Sequence, residues 1–164
     1  MAFDEAHATS GIQSTLVAVW RGDPTPHRVR DLADQMRAIA ERSSGRVYLL
    51  NVITASTPVP SAAARAALQR EWAAMRGTLM AAAIVLEKGG IEGTLSRAVL
   101  STIATATRQP FPMRVFASRR DAATWLVGSG CGTSVAALTN LAESLEQKLV
   151  HGALRPTSLP PRDE

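Results

Sequence analysis

The stretch "PFPMRVFASRRDAATWL" (residues 110–126) decides how the chain is read. Proline blocks helical continuation and pushes the residue before it toward extended backbone. Pro110 and Pro112 therefore end whatever helix precedes them. "MRVFA" (113–117) then reads as a strand. Ser118 and Asp121 form an S-x-x-D capping box, which starts a short helix at once. Ala122, Trp125 and Leu126 form its buried side. A helix stop, a strand and an immediate helix start make one unit of an alternating α/β chain.

The same unit recurs upstream. "IQSTLVAVWRG" (12–22) predicts a strand, with Ile12, Ser14, Leu16, Ala18 and Trp20 on one face and Val17 and Val19 on the other. "GDPTP" breaks it, and Thr25 with Pro26 starts a helix to about Arg42. Val29, Leu32, Ala33, Met36, Ile39 and Ala40 give that helix one apolar stripe. Arg30/Asp34 and Arg37/Glu41 are i, i+4 pairs on its wet side. "RVYLLNVI" (46–53) is nearly continuous and apolar, as a strand covered on both faces would be. After the loop "TASTPVPS", a second helix runs over about 61–76 with the stripe Ala64, Leu68, Trp72 and Met75. "AAIVL", within 78–88, is the third strand. "GGIEG" turns into a third helix over about 91–107, so weakly polar that it reads as covered on more than one side. Four strand–helix units predict an α/β domain with a mainly parallel sheet and right-handed crossovers.

The ends are read separately. Residues 1–11 look like a lead, and "VGSGCGTS" supplies a flexible linker over 128–133. A further helix is predicted over 134–150. Its Val135, Leu138, Ala142, Leu145 and Leu149 are spaced 3, 4, 3, 4, the seam of a coiled coil. Two readings stay open: the seam packs on its own domain, or it captures a second copy or a partner. The proline-rich, polar residues 151–164 read as a disordered tail.

The segments "VAVWRGDPTPHRV", "RVYLLNVI" and above all "FPMRVFASRRDAATWL" resemble the STAS superfamily, the anti-sigma-factor-antagonist or SpoIIAA-like fold. The ending P-x-R-V-F-x-S-x-x-x-A-x-x-W-L resembles an uncharacterised bacterial branch of it. The resemblance covers about residues 12–127. It implies a β-α-β-α-β-α-β-α sandwich with a four- to five-stranded, mostly parallel sheet, to which this chain adds a C-terminal helix. It also implies a non-catalytic, regulatory protein-interaction role, with small ligands such as nucleotides or lipids as the alternative. Together with the weakly polar helices over 91–107 and 134–150 it leads to the expectation of a homodimer; a sensor of nucleotide, phosphate or lipid is the alternative and a weak nucleic-acid binder the second. Signalling members carry a phosphorylatable Ser in D-S-S-G at the start of the second helix. Here "TASTPVPS" lacks that Asp and Gly, so the phosphosite is not carried over to Ser56 or Thr57.

Composition limits the chemistry. His7, His27 and His151 are far apart and Cys131 stands alone, so no metal-ligand spacing exists. No Gly-x-Ser-x-Gly elbow or Gly-rich nucleotide motif is present. No catalytic residue, metal or cofactor is therefore assigned. "EKGGIEG" (87–93) fits either an anion cradle or a plain turn. Between residues 21 and 130, fifteen Lys/Arg stand against eight Asp/Glu. That excess fits a scattered solvated surface or an acidic partner, and the scarcity of aromatics argues against nucleic acid. A single cysteine and the lack of a long apolar run point to a soluble, cytoplasmic protein with no membrane span. In parallel sheets ligands gather at the carboxyl ends of strands. The residues at that edge are Arg21, Asp23, Ser56, Thr57 and Lys88.

Overall fold

The computed structural model describes residues 2–87 and 111–153. Six strands form one sheet in chain order: β1 (Ala2–Phe3), β2 (His7–Ile12), β3 (Thr15–Trp20), β4 (Val47–Ile53), β5 (Leu79–Leu86) and β6 (Met113–Phe116). The described helices are α1 (Pro26–Arg42), α2 (Ala62–Ala74), α3 (Arg119–Gly128) and α4 (Val135–Ala153). Strands β3 to β6 run parallel, and β1 and β2 add antiparallel strands at one edge. The fold is α/β with a mixed, mostly parallel sheet, as the alternation implies. The expected third helix over 91–107 lies outside the described residues, as do residues 154–164.

The deciding stretch folds as read. β6 pairs with β5 from Ala82↔Met113 to Val85↔Phe116. Ser118 Oγ accepts from the Asp121 N–H at 3.3 Å, and Ala122 and Leu126 are fully buried. Trp125 is only partly buried. Its ring lies 5.8 Å from that of Phe116 at a tilt of 45°, and the Arg114 guanidinium stands 5.6 Å from its ring centre.

The N-terminal reading needs correction. Residues 12–22 are not one strand, and residues 1–11 are not a lead. The chain reverses at Gln13–Ser14, and β2 pairs with β3 from His7↔Trp20 to Ile12↔Thr15. Gln13 takes φ +50, a left-handed conformation of the kind that two-residue hairpins require. The reversal resets the alternation of faces. Leu16, Ala18 and Trp20 share a face as expected, but Ile12 packs with Val17 and Val19 on the other.

Two cores follow from the two faces. Leu16, Ala18, Trp20 and Leu49 are covered by Leu32, Met36 and Ile39 of α1, with Met75 and Phe111 beside them. Val17, Val19, Leu50, Val52 and Val85 are covered by α3 and α4. Ala81, Ala82 and Ala83 of β5 are all buried, and α3 packs against the face that carries Ala81 and Ala83. On the wet side of α1, Arg37 reaches Asp34 at 2.6 Å and Glu71 of α2, rather than the expected Glu41.

The C-terminal seam is also settled by packing. Leu138, Ala142, Leu145 and Leu149 are each 0% exposed, buried against the chain's own sheet and α3. Val135 is half-buried at the same contact. The reading of these five residues as a dimer or partner helix is therefore corrected: the sheet already fills the seam. Nor are residues 128–133 a flexible linker. Gly130 and Gly132 turn with φ +91 and +76, and Cys131 drops into the core. Ser14 Oγ donates to the Cys131 carbonyl at 2.9 Å and the Tyr48 hydroxyl to the Ser129 carbonyl at 3.3 Å. α4 runs three residues beyond the predicted end at Val150.

Candidate functional site

The parallel strands deliver their following loops to one end of the sheet. There the structure brings Arg21, Asp23, Ser56 and Thr57 together, while Lys88 lies outside the described residues. The Trp20 carbonyl accepts from the hydroxyls of Thr54 and Thr57, both at 2.7 Å, and from the Thr54 N–H at 3.1 Å. Ser56 Oγ donates to the Arg21 carbonyl at 3.1 Å. These hydroxyls fasten the loop after β4 to the loop after β3. Thr57 is only 2% exposed, so its hydroxyl is a structural tie that no modifying enzyme can reach without local opening. Ser56 and Asp23 are exposed, and Arg21 is half-buried.

The N-terminal turn closes the same edge from the side. The Ala6 carbonyl accepts from the N–H groups of Arg21 and Gly22 at 2.8 and 2.9 Å. Position 22 needs glycine for space: a Cβ there would come within 2.6 Å of Ala6 Cβ. Asp4 organises the turn. Its Oδ1 accepts from the N–H of Ala6 and His7, and its Oδ2 from Arg28 Nε at 2.8 Å. Partial burial opposes ionisation of Asp4, but the hydrogen bond from Arg28, followed by those from the Ala6 and His7 N–H groups, outweighs it and holds its pKa down to about 2.

Beneath the edge lies a buried polar layer. His7 stacks on Trp20 with ring centres 4.7 Å apart and planes at 16°. Trp20 Nε1 donates to Asn51 Oδ1 at 2.7 Å. His7 Nδ1 lies 3.2 Å from Asp4 Oδ1, within ion-pair range, yet neither ring nitrogen makes a hydrogen bond.

Beyond β5, Arg119 grips Glu87 with two nitrogens at 2.5 and 2.9 Å and Glu146 with one at 2.5 Å. The hydrogen bond to Glu87 does most to raise the Arg119 pKa above its ordinary value, against the opposing effect of burial. The triad ties β5, α3 and α4 together. A surface cleft of about 570 Å³ opens next to it, lined by Ser118, Arg120, Val135, Thr139 and Glu143 among others.

Sequence reading missed Thr54, Asp4 and the Arg119 triad. Asp4 alone had a signal, since an Asp two and three residues before the N–H groups it caps is an Asx-turn pattern. Among the described residues, no three His, Cys, Asp or Glu side chains stand close enough to hold a metal ion together. Among them, too, no helix is long and apolar enough to cross a membrane.

No family model matches the sequence, and no curated protein matches it. Among solved structures, the chain is similar to an uncharacterised protein of the DUF3478 family from Shewanella loihica, which has a SpoIIAA-like fold. The likeness has a TM-score of 0.48 at 20% sequence identity and covers 74% of this chain and 93% of that one. It is a likeness of fold, and no residue role is taken from it.

Proposed function

We propose that this chain is a non-catalytic, STAS-like protein-interaction domain with a regulatory role, and that its contact surface is the strand-end edge. The observation that carries this reading is Val59. It is 65% exposed in the loop after β4, between Pro58 and Pro60. Ser56 and Thr57 fasten that loop at one side, and Pro60 accepts from Arg65 at 2.6 Å on the other. An apolar side chain held out on braced backbone loses little conformational freedom when a partner covers it. Exposed Ser56 lies in the same loop, and exposed Asp23 lies in the loop after β3 to which Ser56 is fastened. Burial of the α4 seam favours a different protein as partner over a homodimer built on that helix.

The test places a photoreactive residue at position 59 in cells that make the protein. Expected is one discrete protein adduct, lost when Asp23→Lys is added. The small-ligand reading is tested beside it by thermal shift with nucleotides, inorganic phosphate and acyl lipids. A ligand at 100 times its Kd stabilises by about 2.7 kcal/mol. Such a shift, removed by Asp23→Lys and accompanied by no adduct, overturns the interaction reading.

A further inference from the structure

Three arginines stand at the other end of the sheet, where the parallel strands begin. Arg42 is the last residue of α1, Arg46 immediately precedes β4, and Arg76 lies between α2 and β5. Their loops are neighbours. The Val47 N–H donates to the Thr78 carbonyl at 3.0 Å, and Val47 pairs with Leu79. Adjacent strands lie roughly 4.8 Å apart, so Arg46 and Arg76 rise from adjoining backbones.

Both loops are fixed by their own hydrogen bonds. Gly45 N–H donates to Ala40 at 2.8 Å, Arg46 N–H to Ser43 at 3.1 Å and Thr78 N–H to Met75 at 3.0 Å. Gly45 and Gly77 turn the chain with φ +77 and +79. A Cβ on either glycine would meet nothing within 4 Å, so both turns face open space as a ledge.

All three guanidinium groups are exposed, and none makes an ion pair or hydrogen bond among the described residues. Arg28, Arg37 and Arg119, by contrast, are paired with Asp4, with Asp34 and Glu71, and with Glu87 and Glu146. Glu41, beside Arg42, is the single carboxylate in these two segments (41–46 and 75–78), and neither segment contains an aromatic residue. A cation at the end of α1 complements the helix dipole, which accounts for Arg42 but not for Arg46 or Arg76.

We propose that this ledge binds an acidic stretch of another polypeptide, whose carboxylates pair with Arg42, Arg46 and Arg76. Guanidinium forks match carboxylates bidentately. A projecting surface suits a chain lying across it better than an enclosed small molecule. The absence of aromatic platforms in the two loops disfavours single-stranded nucleic acid. The choice of a polypeptide as ligand rests on the interaction reading above; the surface itself does not.

The experiment uses the full chain and a fluorescein-labelled peptide of Asp and Glu residues, read by anisotropy in about 50 mM salt, where screening is modest. Expected is that R42Q/R46Q/R76Q weakens binding about ten-fold, the scale of a few exposed ion pairs acting together. A control of equal net charge, R30Q/R70Q/R120Q, leaves it within about two-fold. A second variant, R42K/R46K/R76K, keeps the charge and loses part of the affinity with the fork. Equal weakening by the test and control triples overturns the proposal, as does failure of the wild type to bind. Tighter binding of an oligonucleotide of the same charge than of the peptide overturns it in favour of nucleic acid. Peptide binding at the ledge without an adduct at position 59 removes the strand-end reading alone. An adduct without peptide binding removes the ledge alone.

Discussion

Leu145→Ala tests whether α4 belongs to the core of its own domain. Leu145 is 0% exposed and packs with Leu138 and Leu149 of its helix and with the face carrying Val17, Val19 and Leu50. The substitution removes three buried carbons, each worth about 0.8 kcal/mol in transfer alone, hence ~2.4 kcal/mol. The void left between helix and sheet adds to this, and buried Leu→Ala changes span about 2.7–5 kcal/mol. A loss of about 3 kcal/mol is expected. The assay is equilibrium urea unfolding followed by circular dichroism, at two protein concentrations about fifty-fold apart. With an m-value of about 2 kcal/mol/M, the midpoint should fall by roughly 1.5 M. It should fall equally at both concentrations, because the contact lies within one chain. Val150→Ala is the internal control. Val150 is 38% exposed on the same helix, and its truncation should cost under about 0.5 kcal/mol. A loss below about 1 kcal/mol for Leu145→Ala would refute the packing argument. A loss that grows on dilution would put the seam back at an interface between chains.

Two further outcomes concern the N-terminal turn. Asp4 has a folded pKa of about 2, below its ordinary 3.8, so its ionised form stabilises the fold above about pH 4. That contribution is lost as pH falls from about 4 to about 2. Because the Asp4 side chain is 39% exposed, solvent screening reduces the effect to about 1 kcal/mol. Asp4→Asn should therefore be less stable than wild type at pH 7, with the gap closing near pH 2; an unchanged gap across that range contradicts the assignment. Gly22→Ala should push the turn off the loop after β3, since the new Cβ would stand 2.6 Å from Ala6 Cβ and 3.0 Å from Ala6 Cα. Hydrogen exchange should speed up at Arg21, His7 and the β2 amides while β4 and β5 keep their protection.

The parts legible in the sequence were those with periodicity and strong local stops. α1 was placed from Thr25, Pro26 and its stripe, and Thr25 Oγ1 does accept from the Arg28 N–H, at a long 3.4 Å. β4 was read as a central strand because "VYLLNVI" is apolar on both faces, and both of its faces are covered. The hairpin at Gln13–Ser14 was not legible. Gln-Ser is not one of the Asn-Gly, Asp-Gly or Gly-containing pairs that mark two-residue hairpins, and the turn falls inside a run that already alternates. The tie from Ser14 to Cys131 spans 117 positions, so no local signal announces it. The seam of α4 was visible as a seam, but its partner was not. A 3, 4, 3, 4 spacing specifies an apolar stripe without saying whose surface fills it. At the candidate edge, the approach of Arg21, Asp23, Ser56 and Thr57 followed from parallel-strand logic. That Thr57 points inward did not, because burial there depends on the Trp20 carbonyl, 37 positions away in sequence.

The occupied backbone at that edge bears directly on what it is able to hold. Ligands gather at strand ends of parallel sheets where loop N–H groups are free to meet them. Here the N–H groups of Arg21 and Gly22 are bonded to Ala6, that of Thr54 to Trp20, and that of Glu87 to Ile53. A phosphate or carboxylate seeking these four donors would have to displace hydrogen bonds that already brace the fold. A macromolecular partner need not do so, since it can use side chains that project past the closed backbone, such as Asp23, Ser56 and Val59. The extra antiparallel strands thus have a consequence beyond widening the sheet. By delivering Ala6 to the loop after β3, they occupy the Arg21 and Gly22 N–H groups, and this favours recognition through projecting side chains over capture of an anion by those two donors.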